Sequence, residues 1–156
     1  MPEEKDMTKE YEAIKKKHNL PELKELDKEF CIGKLEETTF LLRDIISKMN
    51  ERLEQTLKIL GDIIQPENNL ANMYEAEGFS DEEKKNIFDL FKKISYYHKE
   101  LLINDYEHNE DSAAELINKT FKEWKELKQE FLRILDKVKQ YWKKETKSRL
   151  ELGYFG

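Results

Sequence analysis

The residues best placed to do chemistry in this chain begin with Asp105 and His108. They stand three positions apart, a spacing that puts two side chains on one face of a helix. Thr39, His98 and Thr120 interrupt otherwise apolar seams, and Glu36, Glu37 and Glu115 fall near the same end if the helices run antiparallel. Carboxylates and a histidine on facing helices are the materials of a metal centre, which makes Asp105 and His108 the candidate ligands. The simpler assignment is a solvated helix end, with Thr39 and Thr120 bonded to their own backbones.

Established motifs test the richer assignment. A ferritin-like centre needs Glu-x-x-His on two helices and a glutamate on two more, whereas this chain has three histidines and no Glu-x-x-His. Haemerythrin-like centres need still more histidine. The all-α nucleotide pyrophosphohydrolases pair Glu-x-x-Glu with a following Glu-x-x-Asp. Glu51-x-x-Glu54 supplies the first half, but Gly78, Asn86 and Leu102 stand three residues before Asp81, Asp89 and Asp105. Half a motif among 34 acidic residues is expected by chance, so Glu51 and Glu54 read as the solvated face beside Met49 and Leu53. Cys31 lies in the apolar turn Phe30-Cys31-Ile32-Gly33 with no histidine close in sequence, and reads as a small buried hydrophobe. There is no glycine-rich phosphate loop and no zinc-ligand spacing. No cofactor follows from these residues, and the reading leans away from an enzyme.

The remaining candidate is basic and aromatic, the segment from Lys137 to Arg149. Lys139, Tyr141, Trp142, Lys143, Lys144, Lys147 and Arg149 could engage a partner, with the cations meeting acidic groups and the rings burying apolar surface. The same residues could neutralise phosphates while the rings stack on bases. From Lys119 to Arg149 there are eleven Lys/Arg against five Asp/Glu, a local +6 that leaves −12 on the rest of a chain of net −6. Either that charge seeks an anionic partner, or the basic helix lies against acidic ones in its own bundle.

These residues need elements to hold them. Ala113, Ile117, Thr120, Trp124, Leu127, Phe131, Ile134, Val138 and Tyr141 recur at four-three spacing, flanked by Leu116, Phe121, Leu135 and Trp142. This predicts one long bundle helix from Ser112 to Arg149, opened by a Ser112–Glu115 capping box. It would outrun its neighbours by around ten residues, or about 15 Å at ~1.5 Å per residue. An N-terminal arm, a second chain or another partner would cover the overhang. A second long helix follows Gly33, with Leu35, Leu42, Ile46, Met49, Leu53, Thr56, Leu60 and Ile63 on its seam, ending at Pro66. A third opens at the capping box Ser80-Asp81-Glu82-Glu83, carries Ile87, Leu90, Phe91, Ile94, Tyr97, Leu101 and Leu102, and ends near His108-Asn109. The connector between them predicts one short helix with Leu70, Met73 and Tyr74 facing inward. Residues 1–19 form a weakly amphipathic helix around Tyr11 and Ile14, and Leu20, Leu23, Leu26 and Phe30 mark a second short one.

The expected fold is all-α: an elongated antiparallel bundle of three long helices with a short N-terminal helical arm. It forms one domain over residues 1–152, the arm being 1–33 and the bundle 34–152, with a flexible tail at 153–156. One cysteine excludes an intrachain disulfide, and the N-terminus lacks the apolar stretch of a signal peptide. No window holds the ~18 apolar residues of a membrane span, which points to a soluble, cytoplasmic protein. The expected function is a non-enzymatic interaction module that self-associates or binds a protein partner, with nucleic-acid binding by the basic end as the alternative and a metal-dependent enzyme at the polar end of the bundle as a distant third.

Overall fold

The computed structural model describes residues 2–34 and 40–144, with side chains over 8–33 and 40–144. The chain is all-α. In order come α1 (Pro2–His18), α2 (Leu23–Phe30), a short 3-10 turn (Ile32–Lys34), α3 (Leu41–Ile64), α4 (Leu70–Glu77), α5 (Asp81–Glu107) and α6 (Glu110–Lys143). The three long helices α3, α5 and α6 pack on one another, and the short N-terminal helices lie against them. Leu35 and Thr39 lie outside the described residues.

The seams close as their spacing requires. Ile45, Met49, Leu53 and Leu60 of α3, Leu90, Ile94 and Leu101 of α5, and Ile117 and Trp124 of α6 are buried in one core. The two described seam threonines, Thr56 and Thr120, behave differently. The Thr56 hydroxyl donates to its own helix at the Arg52 carbonyl, 2.9 Å away. Thr120 is equally buried, yet its hydroxyl has no partner among the described residues, contrary to the expected backbone bond.

Helix α5 starts at its capping box, with Ser80 accepting from the Glu83 N–H and Glu83 from the Ser80 N–H. Helix α6 starts two residues before the expected Ser112. Its cap is Asn109, whose side chain accepts from the Ser112 N–H at 3.0 Å. His108 makes this possible: it takes a left-handed conformation at φ 55°, and the chain turns directly from one helix into the next. Asn104, buried one turn before the end of α5, reaches across the corner to the Ser112 hydroxyl at 3.4 Å.

The arm is anchored on α6. Phe30 packs on Trp124 with ring centroids 5.8 Å apart. The nearly buried Glu29 carboxylate accepts from the Trp124 indole at 3.0 Å and from the Lys128 ammonium at 2.6 Å. Tyr11 is fully buried and donates to the Pro21 carbonyl, which folds α1 back on the start of α2. That burial, with Glu12 and Glu22 adding negative charge nearby, holds the Tyr11 phenol above its ordinary pKa.

Candidate interaction surface

The far end of α6 is not bare. Helix α4 lies across it, begun by Asn69, which accepts from the Ala71 and Asn72 N–H groups at 2.9 and 3.2 Å. The Tyr74 hydroxyl donates to the Tyr141 carbonyl at 3.1 Å, and its ring lies 4.6 Å from that of Tyr141 and 4.5 Å from that of Trp142. The Trp142 indole donates to Glu75 at 2.7 Å. Gly78 permits this approach, because a Cβ there would stand 3.0 Å from the Tyr141 ring. The connector thus covers part of the overhang, an occupant that the seam pattern does not indicate. Its other expected feature is corrected: Leu70 and Met73 face outward, 72% and 47% exposed. The face turned to α6 is that of Tyr74, Glu75 and Gly78, which leaves Leu70 and Met73 outside.

The result is a mixed surface. Trp142 is fixed through its N–H and one ring face yet remains 49% exposed. Lys139, Lys143 and Lys144 are exposed around it. Lys139 pairs with Asp136 at 3.6 Å, and Lys144 lies over the Tyr141 ring at 5.8 Å. Lys147 and Arg149 lie outside the described residues. One turn earlier on α6, Lys137 bonds Glu83 and sits over the Phe79 ring at 5.2 Å, tying the start of α5 to the end of α6. That contact, followed by the Ser80 N–H, holds the Glu83 carboxyl below its ordinary range.

The polar end of the bundle resolves into separate pairs. Asp105 accepts from Arg43 at 3.1 Å, His98 meets Glu54 at 3.1 Å, and Glu51 meets Lys48 at 3.5 Å. His108 leaves the helix at its left-handed turn, so its spacing from Asp105 does not become a shared helical face. Among the described residues no three His, Cys, Asp or Glu side chains come together as a metal-binding group. Glu36 and Glu37 lie outside the described residues, and Glu115 is exposed. A half-open cavity of about 450 Å³ occupies this end, with Ile14, Leu42 and Ala113 among its apolar lining and Glu10, Arg43 and Glu110 among its charged lining. Cys31 is exposed rather than buried, and its sulfur receives the Arg52 guanidinium at 3.5 Å. It takes a left-handed conformation to end α2, which turns its side chain away from the core.

Comparison with family models, curated proteins and solved structures finds no match. No described helix is long and apolar enough to cross a membrane.

Proposed function

We propose that this protein is a non-enzymatic helical interaction module that pairs with a second copy of itself, the α4/α6 end with its basic aromatic residues contacting the partner. The observation that carries the reading is Trp142, a large ring locked in place by Tyr74 and Glu75 while half its surface stays open. A pre-positioned aromatic side chain is the usual centre of a binding hot spot, since little entropy remains to be lost on docking. Leu70 and Met73 extend the apolar area from the adjoining helix. Both charges surround it, with Lys143 and Lys144 at the end of α6 and Glu75 and Glu77 on α4. A twofold contact sets a patch against itself, so a patch carrying both signs can pair lysine with glutamate across the axis.

Nucleic-acid binding is the weaker reading. The Tyr141 ring is spent against Gly78 and Tyr74, leaving Trp142 as the exposed ring of this end among the described residues. Native mass spectrometry tests the proposal on wild type and Trp142→Ala. A dimer that becomes monomeric in the variant supports it. A wild-type monomer at about 50 μM, well above the ~1 μM affinity of an ordinary specific contact, contradicts it.

A further inference from the structure

Helix α5 has a second apolar face that the core does not use. Its inward side carries Ile87, Leu90, Ile94 and Leu101, all buried. On the opposite side Phe88, Lys92, Tyr96, Lys99, Ile103 and Tyr106 follow one another at spacings of four and three, the period of a helix-docking seam. Tyr96, Ile103 and Tyr106 are 54%, 56% and 79% exposed, and Phe88 is 40% exposed. From Phe88 to Tyr106 the stripe runs about 27 Å at ~1.5 Å per residue, the length of a five-turn helix.

Its centre is rich in lysine, with Asp89 the acidic residue in register with Tyr96 and Ile103. Lys85, Lys92 and Lys99 recur every seven residues down the stripe. Lys92 pairs with Asp89 at 3.7 Å and lies over the Phe88 ring at 5.6 Å. Lys119 of α6 reaches over the Tyr96 ring at 5.2 Å while bound to Glu100. Lys85 and Lys99 form no ion pair with any described residue, and they bracket Phe88 and Tyr96.

We propose that this outer face of α5 docks an acidic amphipathic helix of a partner protein, with apolar side chains between the aromatic residues and carboxylates on Lys85 and Lys99. The face is separate from the α4/α6 end and independent of the pairing proposed there. A second copy of this chain is a poor occupant of the same face. In the antiparallel register that sets Phe88 of one copy against Ile103 of the other, Lys92 meets Lys99, like charge on like. Nucleic acid fits less well, because Ile103 offers a base nothing to stack on.

The test is fluorescence anisotropy of the full chain with a labelled helical peptide of five turns, carrying leucine at four-three spacing and glutamate beside it. A lysine-for-glutamate version of the peptide, a single-stranded RNA and vesicles of anionic phospholipid are run in parallel at low salt. The glutamate peptide is expected to bind, and the lysine peptide is not. The double variant Lys85→Glu/Lys99→Glu, checked for unchanged helicity and Tm, is expected to lose at least about tenfold and to take up the lysine peptide instead. Phe88→Ala/Ile103→Ala is expected to lose at least about tenfold for the glutamate peptide. Failure of the glutamate peptide to bind, equal binding by the charge-reversed variant, or tighter binding of the RNA or vesicles would overturn the proposal. So would a wild-type dimer that Ile103→Glu dissociates, since a second copy would then own this face.

Discussion

At the α4/α6 end, Trp142, Leu70 and Met73 stand open among both lysines and glutamates, whereas the outer stripe of α5 sets its open apolar residues beside Lys85 and Lys99, which form no ion pair with any described residue. The two surfaces also differ in how they are made. The end is assembled from elements 67 residues apart, joined by the Tyr74 to Tyr141 and Trp142 to Glu75 hydrogen bonds. The stripe belongs to one continuous helix with a capping box at its start. A mixed-charge patch can be its own complement, and a stripe whose unpaired cations Lys85 and Lys99 need carboxylates from outside is a poor one. A composite surface depends on packing between its parts, while a surface on one helix needs only that the helix persists.

Gly78→Val gives the largest expected separation of the two. A side chain at this position must displace the Tyr141 ring, a Cβ alone already lying 3.0 Å from it, so the variant should lose about 1–3 kcal/mol by overpacking. Urea unfolding checks the loss. Dimer formation should weaken with it, while peptide binding to α5 stays unchanged, and equal damage to both would break the comparison.

High pH should release the arm and spare both surfaces. The buried Tyr11 phenol has its pKa raised above the ordinary value of 10.0. The folded state therefore holds that proton more tightly than the unfolded chain does. Its contribution is fully present below about pH 10 and is lost as pH rises beyond that. A Tm-against-pH curve should fall more steeply above pH 10 in wild type than in Tyr11→Phe. Equal slopes would remove the role given to this burial.

The smallest effect is at low pH and belongs to the end alone. Lys137 and the Ser80 N–H hold the Glu83 carboxyl below its ordinary 4.5, so the contact stabilises above that value and is lost as pH falls through the lowered one. The pair is well exposed and its contribution is correspondingly screened. Wild type should lose slightly more stability than Lys137→Met between neutral and acid pH, with thermal melts as the measure.

Much of the fold was legible because it is periodic. Four-three spacing located the seams of all three long helices, and Ser80 with Glu83 marked the start of α5. Caps that rely on tertiary context were harder. Ser112 and Glu115 have the letters of a capping box, but Asn109 wins because His108 adopts a left-handed turn that lets α6 begin earlier. Leu70 and Met73 looked like core because they are apolar, and their direction is set by which face of α4 meets Tyr141. Asn104 was legible in principle, lying three residues beyond Leu101 on the α5 seam, and the outer stripe was visible in Phe88, Tyr96, Ile103 and Tyr106, which the core seam leaves unassigned. The glutamate that binds Trp124 and Lys128 could not be read from spacing, since Glu29 lies 95 residues from the indole it meets.

If Trp142 is an interface residue, acrylamide quenching of tryptophan emission should report its burial. Trp124 is buried at 2% exposure and Trp142 is half open, so the two report separately within the wild-type chain. In dilute solution a fraction of the emission should be quenched readily, and that fraction should shrink as concentration rises and the ring is covered. A quenchable fraction that stays the same across the whole dilution series would contradict the account.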